Sequence, residues 1–316
     1  MSILRPGPTL SIVIPTYRRP RGLARLLRSL APQASEEAGR EVIVVNDGTD
    51  DPAYGAVSAA HRGWVKYIAT TENRGPAAAR NTGVRAATGD FLVFIDDDCA
   101  APPGWLDRLT GWLAADPRLD AVGGTTQPLA SRHPTPFERM LTLSGCHPNP
   151  VFYRDQLIVM VSACLAVRKT MFEALGGFVE RIMPLAEDRN LTTRLRLAGA
   201  RCAIKPEWFV YHDMSSTPRE HFRRYFNYGR GVSNAIALEA LPLDRSYWPP
   251  AQRSQVFWWA RACARLHETA VLMPNTHPAA ARLPVVALAA ATNLVMDLGY
   301  VYAQRGASAR AKESAP

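Results

Sequence analysis

The sequence lacks the glycine-rich loops with which many nucleotide-binding proteins hold phosphates. Residues 15–18 (Pro-Thr-Tyr-Arg), after the first predicted strand, are not followed by a glycine until Gly22, which excludes the turn of a dinucleotide-binding Rossmann unit. A Walker-type loop with a Lys-Ser/Thr pair is also absent. We therefore expect phosphates to be held by a metal ion and basic side chains, which indicates a nucleoside-diphosphate ligand bound through a cation.

Paired cysteines and an excess of acidic residues are also missing. The five cysteines are scattered, and none belongs to a Cys-x-x-Cys pair that would indicate zinc. The N-terminus shows no secretory signal, so we expect a reduced, cytoplasmic protein. Lysine and arginine number 37 against 28 acids, and the net charge of +9 suits anionic ligands, lipids or nucleic acid. Because no nucleic-acid-binding motif occurs, we expect no nucleic-acid partner.

One apolar run, residues 283–303, is long enough to span a bilayer. Asn293 and Asp297 lie inside it, and an acid at the centre of a membrane costs about 2.5–3.5 kcal/mol. We therefore expect a packed or interfacial helix and not a transmembrane span. The basic and aromatic residues at 219–230 and 248–265 would either cover the core or make peripheral contact with the inner face of a membrane.

Strand-like and helix-like segments alternate in the N-terminal part of the chain. They are, in order, a strand at 10–15, a helix at 21–30, strands at 41–45 and 65–69, a helix at 76–87 and a strand at 91–95. This alternation predicts an α/β fold with a mainly parallel central sheet flanked by helices. Such sheets bind ligands at the carboxyl ends of their strands, so the polar residues there are candidates for a functional site.

Three consecutive carboxylates, Asp96, Asp97 and Asp98, follow the last of these strands. Like charges a few ångströms apart repel one another unless a partner compensates them. Hard divalent cations such as Mg²⁺ or Mn²⁺ prefer carboxylate oxygens. A solvated acidic turn would explain one aspartate, whereas three at the end of a buried strand favour a metal or phosphate site.

Eight short motifs follow one another along the chain: Ile14–Arg18, Val45–Thr49, Asn73–Asn81, Asp96–Asp98, Ser162–Ala166, Gly176–Phe178, Glu187–Asp188 and His212. Their order resembles that of the family 2 glycosyltransferases with the GT-A fold. Each motif is weak alone, but the ordered set is specific and covers about two-thirds of the chain. The resemblance implies a metal-dependent, inverting transfer of a sugar from a UDP-, dTDP- or GDP-linked donor to an unknown acceptor.

The resemblance also implies how the chain is divided. We expect a GT-A catalytic domain over residues 1–215, with a donor half at about 1–128 and an acceptor half at about 129–215. Residues 216–316 would then form a C-terminal helical region.

The resemblance assigns residues to the donor and to the metal. Asp98 is the expected direct metal ligand, and His212 can complete the metal or diphosphate site, since imidazole accepts Mn²⁺ more readily than Mg²⁺. Asp96 is expected to face the ribose or the donor sugar, whereas Asp97 is either a donor contact or a structural acid. The other expected donor-binding residues are Pro15, Thr16, Tyr17, Arg18, Asp47 and Arg80. The alternatives are a structural or solvated histidine for His212 and a surface helix arginine for Arg80.

Asp188 is the expected catalytic base, because inversion requires a carboxylate that accepts the proton of the attacking hydroxyl. It precedes a helix predicted at 190–197, so capping that helix is its alternative role. Glu187 is expected to bind the acceptor or orient the loop, or else to be an ordinary acid of the first helical turn. Gly177 allows the backbone to approach a sugar closely, but its glycine pair also suits the end of a preceding helix.

The sequence departs from the family pattern in two places. Asn46 stands where the family often has an aspartate, so Asp47 is the expected base-recognising residue and the identity of the base stays open. Residues 221–225 (His-Phe-Arg-Arg-Tyr) do not match the Gln-x-x-Arg-Trp motif of processive synthases, which favours single addition. The alternatives are a sugar nucleotidyltransferase, which normally needs a glycine-rich basic loop after its first strand, and a catalytically silent nucleotide-sugar-binding module.

Overall fold

A computed structural model describes residues 7–34, 38–61, 63–129, 134–144, 151–153, 156–182, 186–213, 217–237, 287–288 and 290–303. The strands are β1 (Leu10–Thr16), β2 (Arg40–Asn46), β3 (Val65–Ala69), β4 (Phe91–Phe94), β5 (Cys99–Ala100), β6 (Ala121–Pro128), β7 (Val151–Tyr153), β8 (Gln156–Val159), β9 (Leu165–Arg168) and β10 (Cys202–His212). The helices are α1 (Pro20–Leu30), α2 (Pro52–Ala60), α3 (Pro76–Arg85), α4 (Trp105–Ala115), α5 (Pro136–Ser144), α6 (Lys169–Ala174), α7 (Glu187–Leu197) and α8 (Pro218–Ala237). Residues 290–303 form a further helix, called the C-terminal helix below.

Eight strands make one sheet in the order β3-β2-β1-β4-β9-β6-β10-β5. The strands from β3 to β4 run parallel, as do β6 and β10, whereas β9 lies antiparallel between β4 and β6. The predicted α/β fold with a mainly parallel sheet is therefore confirmed. The antiparallel position of β9 was not predicted, because a short apolar run does not reveal the direction in which its strand runs.

Both faces of the sheet are buried. Ile12 and Ile14 of β1 pack into one hydrophobic cluster with the leucines of α1, and Val13 packs into a second cluster with residues of α3 and α7. Successive side chains of a strand point to opposite faces, so helices cover the sheet on both sides. This explains why β1 and β4 are nearly continuous apolar runs in the sequence.

Helices α1 and α3 begin at prolines a few residues after the ends of β1 and β3. Pro20 starts α1 and Pro76 starts α3, at positions where the missing N–H costs no helical hydrogen bond. Gly75, just before α3, has a φ of 90°, which glycine adopts without strain. The N-termini of α1 and α3 consequently lie at the carboxyl-end edge of the sheet.

Helix α7 starts three residues earlier than predicted. It begins at Glu187, so Glu187 and Asp188 belong to its first turn and not to the loop before it. Leu191 and Leu195 are fully buried and anchor the helix to the core. The two acids are therefore fixed by a packed helix.

The C-terminal helix packs on α8 at two glycines. A Cβ atom on Gly299 would lie 1.9 Å from the carbonyl oxygen of Phe226, and one on Gly229 would lie 1.8 Å from a carbonyl oxygen of the C-terminal helix. Next to this contact, His221 Nε2 lies 2.9 Å from Thr292 Oγ1, and both residues are buried. The two helix backbones are therefore in direct contact.

A packed helix was one of the two arrangements predicted for the apolar run that contains Asp297. Asp297 is 3 % exposed in the C-terminal helix. Among the described residues, no helix has the length and apolar character needed to cross a membrane. Two basic and aromatic segments carried the prediction of membrane contact: residues 219–230 belong to α8, and residues 248–265 lie outside the described residues.

Candidate active site

A cleft of about 550 Å³ opens at the carboxyl ends of β1, β2 and β4. Most of the residues predicted from the sequence line it: Pro15, Thr16, Tyr17, Asp47, Arg80, Asp96, Asp97, Asp98, Glu187, Asp188 and His212. Arg18 and Gly177, which were also predicted to bind ligand, are not among its lining residues. Donor, metal and acceptor candidates from distant parts of the chain thus share one cavity.

The sheet brings His212 to the acidic turn. β5 begins directly after Asp98 and pairs antiparallel with the end of β10, so that Cys99 and His212 are register partners. His212 Nε2 lies 3.4 Å from Asp98 Oδ1. Asp98, Cys99 and His212 each offer one atom that could bind a metal ion, and these three atoms lie within 4.8 Å of one another. Burial raises the pKa of Cys99 well above its usual value, so the thiol stays protonated at neutral pH.

His212 has a further polar atom directed into the protein. Its side chain is almost fully buried, and Nδ1 has no hydrogen-bond partner within the part of the chain that the structure describes. The solvated alternative for His212 is therefore wrong, whereas its role as a ligand stays a prediction.

Arg19 lies on the other side of Asp98. Its Nη1 atom pairs with Asp98 Oδ2 and lies 3.5 Å from Asp97 Oδ1. Burial alone would raise the pKa of Asp98, but the neighbouring His212 and Arg19 outweigh it and hold that pKa below its usual value. Asp98 is therefore ionised over the physiological pH range.

The Asp97 side chain is buried at the acidic turn. It is 8 % exposed, and its Oδ2 atom accepts a 2.7 Å hydrogen bond from the hydroxyl of Thr16. Burial, followed by the adjacent charge of Asp98, raises the pKa of Asp97 to about 7. Its contacts fit the predicted structural acid, because Thr16 and Arg19 tie the acidic turn to the start of α1.

Asp47 holds a loop at the edge of the cleft. Its Oδ1 and Oδ2 atoms accept hydrogen bonds from the backbone N–H groups of Arg74 and Gly75, at 3.0 and 2.8 Å. Asn46 folds the adjoining turn by donating to the carbonyl of Thr49 (2.7 Å) and accepting from its N–H (3.2 Å). Asp47 therefore shapes the predicted base pocket, and direct contact with a base stays a prediction.

Arg80 connects the two sides of the cleft. It is 3 % exposed, so the alternative of a surface arginine is wrong. Its Nη2 atom donates to Asp96 (2.7 Å) and its Nη1 atom donates to Glu187 (3.0 Å). The charged guanidinium thus links the donor-side acidic turn to the first turn of α7. Asp96, predicted to face the donor, has one carboxylate oxygen committed to this contact.

Asp188 follows Glu187 in the first turn of α7. Its Oδ1 atom accepts a 2.7 Å hydrogen bond from the N–H of Arg189, while Ala186 occupies the N-cap position without a side-chain cap. Burial, and then the negative charge of Glu187, raise the pKa of Asp188 to about 7. A carboxylate with such a pKa can accept and release a proton near neutral pH. Its position at a helix N-terminus is compatible with this role.

Helix α8 supplies two residues that the sequence did not identify. Arg224 and Tyr228 lie one helical turn apart and both line the cleft. Burial raises the pKa of Tyr228, although Arg224 opposes that shift. Their spacing could have placed them on one face of the helix. Nothing in the sequence showed that this face meets the cleft, and the surrounding arginines suggested a membrane-facing or outer surface.

The structure corrects the placement of Gly177 and gives Arg18 other contacts. Gly177 has a φ of 74°, and a Cβ atom there would lie 2.9 Å from Asn81 Oδ1. Its N–H donates to the carbonyl of Phe172 (3.0 Å), so Gly177 ends α6, which was the predicted alternative. The guanidinium of Arg18 lies 4.9 Å from the centre of the Tyr17 ring, outside the cleft.

Comparison with known proteins gives consistent matches. The model of the family described as "Glycosyl transferase family 2" matches residues 11–176, more than half of the chain. The pre-mycofactocin glycosyltransferase of Mycobacterium tuberculosis is 33 % identical over 231 residues, which cover 71 % of this chain and 47 % of that protein. This chain therefore spans about half the length of those first relatives. Glycosyltransferase AglE of Haloferax volcanii is 24 % identical over 76 % of this chain and 78 % of its own.

Two solved structures share the fold. The mannosyltransferase PcManGT from Pyrobaculum calidifontis, in complex with GDP-Man and Mn²⁺, matches with a TM-score of 0.60 and 22 % identity over 94 % of this chain and 86 % of its own. S. aureus TarS 1-349 in complex with UDP matches with a TM-score of 0.53 and 18 % identity, over 94 % and 92 % of the two chains. At these identities the matches establish a shared fold, the predicted GT-A fold.

Proposed function

The chain belongs to glycosyl transferase family 2, and on that premise we propose that it moves a sugar from a nucleoside-diphosphate sugar to an acceptor hydroxyl, with inversion at the anomeric carbon. The observation that carries the proposal is the composition of one cleft. Asp98 and His212 lie together in it, and Asp188, a carboxylate with a raised pKa, lines it as well. A nucleotide-binding module without activity has no need of such a base, and the family match favours glycosyl transfer over nucleotidyl transfer.

The residues at the acidic turn fit a divalent cation. Two ligands of one octahedral ion, each about 2.1 Å from it, lie about 3 Å apart, and Asp98 Oδ1 and His212 Nε2 are separated by 3.4 Å. A carboxylate with an imidazole suits Mn²⁺ and also accepts Mg²⁺. The ion would stabilise the negative charge that develops on the leaving diphosphate. We propose that Asp98 and His212 hold it.

The donor half of the cleft is suited to a nucleoside diphosphate. Tyr17 is partly exposed at its rim and presents a ring against which a base can stack. Asp47 fixes the loop at 73–75 beside it. The solved structures with this fold carry GDP-Man or UDP, so guanine and uracil are candidate bases for the donor of this chain. Thymine is the third candidate, from the dTDP-linked donors that the sequence resemblance implies.

The acceptor side carries the proton transfer. We propose that Asp188 accepts the proton of the acceptor hydroxyl while the oxygen of that hydroxyl forms a bond to the anomeric carbon. The bond from that carbon to the diphosphate oxygen breaks on the opposite face, and the diphosphate leaves with the electron pair. Arg80 keeps Glu187, and with it the first turn of α7, at a fixed position relative to Asp96. The acceptor molecule is left open, and single addition is proposed because the processive motif is absent.

Calorimetry of UDP, GDP and dTDP binding in the presence of Mn²⁺ tests the donor and metal assignments. We expect one nucleotide to bind, and we expect EDTA or Asp98→Ala to reduce its affinity at least about tenfold, which corresponds to about 1.4 kcal/mol. Asp107→Ala is the matched control, since the Asp107 side chain is 70 % exposed and does not line the cleft. Affinity that is the same with EDTA and in Asp98→Ala would sink the metal assignment.

A further inference from the structure

Arg19 occupies the side of Asp98 that does not face His212. Its Nη1 atom pairs with Asp98 Oδ2 and approaches Asp97 Oδ1 to 3.5 Å, while Asp98 Oδ1 faces His212 Nε2. Arg19 is thus a positive charge bound to the carboxylate that the proposed metal ion would need. A guanidinium and a divalent cation cannot both sit against one carboxylate without repelling each other.

The backbone of Arg19 is held by a hydrogen bond, whereas about half of its side chain is exposed. The N–H of Arg19 donates to the hydroxyl of Tyr54 (2.8 Å), and the residue occupies the N-cap position of α1. The side chain is 51 % exposed, in contrast to the buried Arg80 at 3 %. The guanidinium of Arg19 can therefore leave Asp98 without any rearrangement of β1 or α1.

The cleft offers a second position for this guanidinium. Arg19 lines the same cavity as Asp98 and His212. In the proposed function, a diphosphate lies in that cavity next to the metal ion, and guanidinium groups bind phosphate oxygens through paired hydrogen bonds. An arginine repelled from Asp98 by the ion would find the diphosphate in the same cavity, as an acceptor for paired hydrogen bonds.

We propose that Arg19 is an exchangeable counter-cation: it neutralises Asp98 in the metal-free enzyme and moves to the donor diphosphate when a divalent ion binds. The proposal rests on the metal dependence in the proposed function. Metal alone must then displace Arg19 from Asp98 with no phosphate to receive the guanidinium, whereas metal and nucleotide together provide one. Arg19 thus makes the binding of metal and of nucleotide cooperative, and by linkage each raises the affinity of the other equally.

Titration with Mn²⁺, followed by the electron paramagnetic resonance signal of the free ion, measures this coupling directly. It is performed with and without the nucleotide that binds in the calorimetric screen. For the wild type we expect nucleotide to raise the Mn²⁺ affinity by a factor of about 5–150, the usual range for such coupling. For Arg19→Gln we expect Mn²⁺ to bind more tightly than in the wild type without nucleotide, and the coupling factor to be smaller than that of the wild type, because only the direct attraction between the ion and the diphosphate is left.

Two further variants complete the experiment. Arg21→Gln removes an exposed arginine two residues away on α1 and should bind Mn²⁺ like the wild type. Arg19→Lys keeps the positive charge and should restore most of the coupling. Circular dichroism of Arg19→Gln checks that the fold is retained, which we expect for a half-exposed position.

The outcomes separate this proposal from the proposed function. If the wild type shows coupling and Arg19→Gln shows the same coupling and the same Mn²⁺ affinity, Arg19 is not a counter-cation, while the metal site stands. If Arg19→Gln binds Mn²⁺ more weakly without nucleotide, the exchange is also refuted. If the wild type binds no Mn²⁺ with any of the three nucleotides, the metal dependence itself is wrong and this proposal falls with it.

Discussion

Removal of Arg80 should destabilise the protein more than removal of any exposed arginine on the same helix. Arg80 is 3 % exposed and donates to Asp96 at 2.7 Å and to Glu187 at 3.0 Å. Although burial opposes it, these two carboxylates raise the pKa of Arg80, so the guanidinium stays charged at every accessible pH. Arg80→Met retains much of the side-chain volume and removes the charge and the donors.

The cost follows from the carboxylates that the substitution leaves behind. Breaking a buried ion pair by removing one partner costs about 3–5 kcal/mol, because the other charge stays buried without compensation. The Glu187 side chain is 6 % exposed and loses an ion pair in the interior, whereas the Asp96 side chain is 29 % exposed and can be partly hydrated. We therefore expect the lower end, about 3 kcal/mol. At about 2–4 °C per kcal/mol for a domain of this size, the midpoint of thermal unfolding should fall by about 6–12 °C.

Thermal unfolding followed by circular dichroism at neutral pH measures this effect. Arg85→Met is the matched control, since Arg85 is exposed on the same helix and donates a hydrogen bond to Thr82. It should change stability by less than about 0.5 kcal/mol. A midpoint for Arg80→Met that equals that of Arg85→Met would refute the proposed ion-pair network.

Two further predictions concern the base and the helix contact. Asp188→Asn should abolish sugar transfer and leave nucleotide affinity within about twofold of the wild type, and near-normal turnover by the variant would mean that Asp188 is not the base. Because burial and Glu187 raise the pKa of Asp188 to about 7, the turnover of the wild type should rise with pH through neutrality and then level off. Gly299→Ala should destabilise the protein by about 1–3 kcal/mol in denaturant titrations, since its Cβ would lie 1.9 Å from the carbonyl oxygen of Phe226. Gly55→Ala, with no atom within 4 Å of the added Cβ, is its control, and equal stability of the two variants would contradict the close helix contact.

Much of the donor half could be predicted from the sequence because its signals are local. β1 and β4 are buried on both faces and are therefore continuous apolar runs, and Asp96–Asp98 follow β4 without interruption. The start of α1 was displaced by only one residue, since Pro20 is itself a typical first residue of a helix. The apolar run of a strand and the proline that starts a helix are enough to predict such elements.

Contacts between segments that are distant along the chain could not be predicted from the sequence. The roles of Arg80 and Arg19 depend on carboxylates that lie far away in the chain or on another element, and no periodicity encodes which acid an arginine meets. The direction of β9 and the face that α8 presents to the cleft are also decided by packing. For this reason Arg224 and Tyr228 were missed.

The sequence by itself determined the class of fold, the order of strands and helices in the donor half, and the chemical types gathered at the strand ends. These follow from side-chain period, helix-starting prolines and the repulsion among neighbouring carboxylates, all of which act over a few residues. The tertiary structure decided which of these groups meet: His212 reaches Asp98 because β10 pairs with β5, and Glu187 reaches Asp96 through Arg80. Charges act through space, so their partners are set by the folded geometry and not by spacing along the chain.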